Sequence, residues 1–165
     1  MITDILTARL DSNAQEIFNN LRQKYFPGEL NFLDAHLTLF HKLPQALEIQ
    51  QILESVSYTQ FKATVDTIKS IGRGVAYFIH SPELSNLHHH LVKDFKKHLI
   101  SQDLQPFRPH ITIQNKVNPA EAQALLKELN QNFKPFEISF HGLDLWHYLN
   151  GPWQHSRFFP FKELD

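Results

Sequence analysis

Apolar residues recur at helical spacing in four segments of the chain and at every second position in the stretches between them, the pattern of amphipathic helices mixed with half-buried strands. Ile5 to Leu10 reads as a short strand. A helix follows, with Ser12 and Gln15 at capping-box spacing and Ala14, Ile17, Phe18, Leu21 and Tyr25 on one stripe. Pro27-Gly28 stops it. The stretch NFLDAHLTLFHKL predicts a strand around His36 to Phe40, and Ala46, Ile49, Leu53 and Val56 mark a second helix. Phe61 to Ile68 alternates as a strand, and Gly72-Arg73-Gly74 turns into another from Val75 to His80. Pro82 opens a third helix whose apolar face carries Leu84, Leu87, Leu91, Phe95 and Leu99. FRPHITIQNKV supplies the next strand. Asn118 caps a fourth helix with Pro119 and Glu121 in its first turn, and Ala122, Leu125, Leu129 and Phe133 form its stripe. Strands near Phe136 to Phe140, Leu143 to Leu149 and Trp153 to Phe161 end the chain, the last two joined at Asn150-Gly151.

This order repeats. Each half reads helix, strand, helix, strand, strand, and the central strand carries the same residues both times. HLTLFHKLPQALEIQQILESV from His36 matches HITIQNKVNPAEAQALLKELN from His110. Each gives histidine, apolar, threonine, apolar, two variable residues, lysine, apolar, then a helix entered near a proline. His36 pairs with His110, Thr38 with Thr112 and Lys42 with Lys116. A single His-x-Thr is a common accident, and one copy alone would read as a half-buried strand. Two copies at one point of a duplicated unit are not so easily explained.

Composition narrows the field. The 165 residues suffice for one substantial domain, and 42% hydrophobic with 20% charged residues is ordinary for a globular protein. A formal net charge of −1 argues against an extended nucleic-acid-binding surface, though not against a nucleotide or an RNA end. There are no cysteines, so disulfides and thiolate metal sites are excluded. The start MITDILTARLDS lacks the pattern of a signal peptide, and no apolar run reaches membrane-spanning length. A cytoplasmic, monomeric protein with no membrane association is the expectation.

Strand geometry gives the motifs their chemical meaning. Side chains at i and i+2 share a face, roughly 6.6 Å apart, so each motif presents an imidazole and a hydroxyl on one side. Leu37 and Leu39, or Ile111 and Ile113, face the other way as anchors. Halves related by an approximate two-fold axis would set the motifs across a cleft. One neutral histidine can then take a proton from an attacking oxygen while the other, protonated, gives one to a departing oxygen. The threonines can donate to the non-bridging oxygens of a phosphate. Both protonation states of histidine are accessible near neutral pH. Neither a metal nor an organic cofactor is called for.

The paired motifs in a duplicated α+β chain resemble the 2H phosphoesterase superfamily, which includes RNA 2′-5′ ligase-like proteins and 2′,3′-cyclic phosphodiesterases. The likeness covers essentially the whole chain. PHITI is the usual form of the motif, whereas AHLTL has Ala35 where a proline is common. LWHYLNGPW looks like the C-terminal strand pair of one branch. The resemblance implies a bilobed pair of antiparallel sheets with flanking helices and a central cleft. It also implies metal-independent hydrolysis of a 2′,3′-cyclic phosphate on a nucleotide or RNA end. By analogy His110 is expected as base and His36 as acid, with the roles exchanged for ligation. RNA 2′-5′ ligation, or a non-catalytic module binding RNA ends or nucleotides, are the alternatives.

Other residues invite roles of their own. Lys42 and Lys116 are candidate rim cations and Arg73 a candidate phosphate contact, against the plainer reading of solvated charges. Phe40, Tyr77 and Trp153 are candidate stacking partners for a base or ribose, against membership of the core. His90, Asp94 and His98 fall at successive i+4 steps, but with Leu87-His88-His89-His90 they read as the wet face of the third helix, so no metal site is assigned. His141, His147 and His155 have no evident carboxylate partner in the sequence. P-loop, nucleophile-elbow and dinucleotide fingerprints are absent.

Overall fold

A computed structural model describes residues 2–164. Its elements are β1 (Thr3–Leu10), α1 (Ser12–Tyr25), β2 (Leu37–Pro44), α2 (Leu47–Glu54), β3 (Phe61–Ser70), β4 (Val75–His80), α3 (Pro82–Phe95), β5 (His110–Gln114), α4 (Pro119–Asn130), β6 (Phe136–Tyr148) and β7 (Trp153–Pro160). The duplicated order is thus present, α1-β2-α2-β3-β4 followed by α3-β5-α4-β6-β7, with β1 in front. The caps follow local chemistry. Ser81 and Asn118 accept from the amides of Leu84 and Glu121, each with a proline opening its helix. At α1 the cap is Asp11, one residue before the predicted Ser12, and it accepts from Ala14 N. Asp11 also receives the Ser139 amide at 2.7 Å, and that second bond across the fold fixes the choice.

All strand pairings are antiparallel along the path β2-β1-β6-β3-β4-β5, with β7 also on β6. The two expected sheets are therefore continuous through β6. Its first residues pair with β3, its later ones with β7, and β1 holds its other side. Each hairpin serves the other repeat's motif strand: β3-β4 carries β5, while β6-β7 carries β1 and β2. The predicted break between Phe140 and Leu143 is a bulge, where Arg9 faces Gly142 and Leu10 faces Phe140. A Cβ on Gly142 would lie 2.5 Å from the Phe159 carbonyl oxygen, so only glycine lets β7 approach there. At the other end Asn150, with φ 61, makes the predicted turn into β7.

One hydrophobic cluster runs through both halves. Phe18 of α1 is fully buried between Tyr77 and Phe136, a burial worth about 1.5–3 kcal/mol. The third helix buries Leu84, Leu87, Leu91 and Phe95, and ends there; Leu99 lies past a short 3-10 turn. His88, expected on the wet face, is buried instead. Its ring lies flat between Phe40 at 4.8 Å and Phe107 at 3.9 Å. Among the described residues no helix is long and apolar enough to cross a membrane. The path of pairing ends at β2 and β5, and these two edges approach one another. They are the strands that carry the repeated motifs.

Candidate active site

The two histidines enter the space between these edges in the same way. His36 Nδ1 lies 2.8 Å from the Asp34 carbonyl and His110 Nδ1 lies 2.7 Å from the Arg108 carbonyl. A carbonyl can only accept, so Nδ1 carries the proton in both rings and Nε2 is left for proton exchange. Each imidazole also has an aromatic neighbour from an adjoining strand. Trp153 sits 4.5 Å from His36, and Phe78 stacks on His110 at 5.2 Å. Thr38 and Thr112 follow at i+2, both half-buried, while Leu37, Leu39, Ile111 and Ile113 are buried as anchors.

The first motif is positioned by α1. Gln15, Asn19 and Arg22 form a polar stripe at i, i+4 and i+7. Gln15 Nε2 donates to the Ala35 carbonyl at 2.7 Å, and the Ala35 amide donates to Asn19 Oδ1 at 2.8 Å. Proline, common at this place in the family, has no N–H to give Asn19. Arg22 ties α1 to the segment before the first motif and to the second motif: Nε donates to Asn31 Oδ1 at 3.1 Å, and NH1 to the Thr112 carbonyl at 3.0 Å. Burial lowers the pKa of its guanidinium, and Asp34 acts in the opposite direction. Sequence reasoning missed Arg22. The available signal was its position four residues after Phe18, on the inward stripe, while Ile17 turns outward.

Burial pushes His36 down to about 4. The bond to Asp34 works against this, and the charges of Arg22, His110 and His41 add to it. His36 is therefore neutral near pH 7. A cavity of about 630 Å³ opens beside it, walled by Trp153, Trp146, Arg9, Asp144 and Phe32. Arg9 holds Asp144 by two bonds of 3.0 and 2.7 Å, and Trp146 Nε1 donates to Thr7 Oγ1 at 2.9 Å.

The remaining candidates divide. Trp153 is at the site. Phe40 is fully buried against His88 and Phe95, so it is a core residue and no stacking platform. Tyr77 is buried between Phe18 and Phe133, and burial pushes its phenol up to about 12. Its neighbour Phe78 faces His110 instead, because adjacent strand residues point to opposite faces. Arg73 and Lys116 lie together beyond the far end of β5 from His110, where Arg73 Nε donates to the Val117 carbonyl at 3.2 Å. Lys42 lines a separate pocket that shares Trp153 as a wall. His90 and His98 do not converge on Asp94: His90 Nδ1 meets Tyr58 Oη at 2.9 Å, and His98 Nε2 meets Glu48 at 2.9 Å. His147 and His155, unpaired in the sequence reading, meet Asp4 at 2.7 Å and Asp144 at 2.8 Å.

Facing His-x-Thr strands in a duplicated α+β fold define the class of LigT-like 2H phosphoesterases. The chain belongs to the 2′-5′ RNA ligase superfamily, whose family model matches residues 10–152. Similar solved structures support the fold. Escherichia coli LigT complexed with 3′-AMP is 18% identical, with a TM-score of 0.64 over 96% of this chain and 97% of that one. TT0787 of Thermus thermophilus is 16% identical, with a TM-score of 0.67 over 99% and 100%. The E. coli LigT complex with NADP+ gives 17% and 0.62 over 96% and 97%. No curated protein matches the sequence.

Proposed function

We propose that the cleft hydrolyses a 2′,3′-cyclic ribose phosphate to a phosphomonoester by acid–base catalysis between His36 and His110. The observation that carries this is the matched Nδ1–H bond of the two rings, which leaves both Nε2 atoms for proton exchange. Water attacks phosphorus and one imidazole takes its proton. The bond from phosphorus to one ribose oxygen breaks, and the other imidazolium protonates that oxygen. Thr38 and Thr112 donate to the non-bridging oxygens as charge gathers there. The E. coli LigT complexes with 3′-AMP, NADP+ and ATP support a nucleotide-like substrate.

The analogy with family members makes His110 the base. Burial of His36 favours the opposite, because the cleft already holds His36 neutral, ready to accept a proton. We therefore place His36 as base and His110 as acid for hydrolysis. With the 5′-hydroxyl of a second RNA attacking in place of water, the same groups would perform ligation, the reaction for which the superfamily is named.

The test is hydrolysis of adenosine 2′,3′-cyclic phosphate with EDTA present, for wild type and for His36→Ala and His110→Ala. Turnover by wild type and loss in both folded variants is expected. Near-wild-type hydrolysis by either variant would sink the proposal, and turnover abolished by EDTA would replace it with metal chemistry. Product release that needs an added 5′-hydroxyl oligonucleotide would favour ligation.

A further inference from the structure

Two cavities meet at Trp153, and their charges differ in sign. The larger, beside His36, contains one cation and two carboxylates, Arg9 against Asp34 and Asp144, and Arg9 is already bound by Asp144. That lining suits an uncharged nucleoside between aromatic walls, and its one arginine is already paired. The smaller, of about 360 Å³, is walled by Lys42, His41, Tyr148, Asn150, Gln102 and Trp153 among others. Among the described residues no carboxylate lines it.

Asp103, which packs behind Lys42, is committed to the backbone and to the His41 ring rather than to the Lys42 ammonium. Asp103 sits inside, its side chain 1% exposed, and receives the His41 amide at 2.8 Å, the Lys42 amide at 3.0 Å and the His41 ring at 2.9 Å. Among the described residues Lys42 forms no ion pair, although Lys62 and Lys97 do. An exposed tyrosine, Tyr148, shares the pocket with this cation. A free ammonium, an aromatic face and two amide side chains around one hollow are the complement of a phosphate with a base beside it.

We propose that this smaller pocket is a second nucleotide subsite, in which Lys42 holds the phosphodiester that joins the terminal nucleotide to its neighbour and Tyr148 stacks the neighbour's base. The substrate is then an oligonucleotide end rather than a free mononucleotide. This rests on the phosphodiesterase reading for which end of the ligand is cleaved, but not for its binding.

The experiment compares adenosine 2′,3′-cyclic phosphate with the dinucleotide ApA carrying the same cyclic end, and with that dinucleotide linked by a neutral methylphosphonate. kcat/KM is measured on all three, and Kd on the corresponding 2′- and 3′-phosphorylated products by calorimetry. The dinucleotide is expected to be favoured about tenfold or more, the scale of one charge-assisted contact with partial stacking. The methylphosphonate linkage, and Lys42→Glu or Tyr148→Ala, should each bring the dinucleotide-to-mononucleotide ratio toward one. A wild-type ratio near one in both rates and affinities overturns the subsite. So does a large ratio that neither Lys42→Glu nor the neutral linkage moves. Lys42-dependent preference in binding without turnover of any cyclic substrate would keep the subsite and overturn the hydrolase.

Discussion

The two halves of the cleft share their local geometry and differ in their surroundings. His36 and His110 each donate Nδ1–H to the carbonyl two residues back, and each has an aromatic ring against it. Duplication of the strand accounts for that much. The difference lies in what packs around the strands. The first motif is held by side chains of α1, closed in by Trp153 and the wall of a large cavity, and its histidine is pushed to about 4. The second enters through Arg108-Pro109, whose proline carbonyl accepts the Ile79 amide at 3.0 Å. Repetition thus supplies two similar imidazoles, and the surroundings of the first lower the proton affinity of His36. A neutral imidazole at this position is in the state a general base requires.

The largest effect that can break this comparison is loss of either ring. His36→Ala and His110→Ala should each lower kcat/KM on a cyclic nucleotide by about 10²- to 10⁴-fold. An aryl phosphodiester with a p-nitrophenolate leaving group sharpens the result, because that group departs without protonation. On it His110→Ala should recover most of its deficit and His36→Ala should not. The opposite pattern would restore His110 as the base. In wild type, kcat/KM should rise as pH increases through about 4, where His36 gives up its proton in the free enzyme.

The next effect is on stability. His88 packs behind β2 between Phe40 and Phe107, and burial lowers its pKa to about 4, with the Leu39 carbonyl and Asp103 acting to raise it. In the unfolded chain a histidine titrates near 6.5. Stability from keeping this ring neutral is complete above 6.5 and is lost as pH falls toward 4, by about 2 kcal/mol at pH 5. Urea unfolding at pH 7 and pH 5 should show about 2 kcal/mol less loss in His88→Phe than in wild type, the His36 contribution being common to both proteins. An equal loss in both proteins would mean that another group titrates.

Most of this architecture was legible because it rests on periodicity and duplication. Four helices, the motif strands and the Asn150-Gly151 turn follow from spacing alone, and the two His-x-Thr copies from their repetition. What the sequence concealed depends on which way a residue faces within an element already assigned. Tyr77 and Phe78 are neighbours on one strand, and only the pairing with β5 shows that Phe78 meets His110. Phe40 looked available beside Thr38, but a register shift between Leu6 and Thr7 turns it into the core. Arg22 and His88 are polar residues on buried faces, and their partners lie on other elements, 90 residues away for Thr112.

Arg22 joins α1 of the first half to the motif strand of the second, so its removal tests whether that contact tunes the first histidine. Arg22→Met keeps much of the stem but leaves the Thr112 carbonyl and Asn31 Oδ1 without their donor, which should cost about 1–2 kcal/mol. It also takes a positive charge from the vicinity of His36, so the His36 pKa should rise. Proton NMR titration of the His36 ring in both proteins reads this directly. An unmoved titration would show that Arg22 supports the strands without tuning the histidine.

The smallest effect concerns the residue at which the two copies differ, Ala35 against Pro109. If Ala35 stands where proline is common because its N–H is committed to Asn19, then Ala35→Pro should cost about 1 kcal/mol of stability, one hydrogen bond. In an Asn19→Ala background that bond is already gone. There the same substitution should be neutral, or stabilising by a few tenths of a kcal/mol through a stiffer unfolded chain. A double-mutant cycle in urea separates the cases. Equal costs in both backgrounds would place the penalty in the backbone path of residues 34–36, and the hydrogen bond would no longer explain the alanine. A cost confined to the Asn19 background would show that α1 has taken over, for the first motif, the positioning that a proline performs for the second.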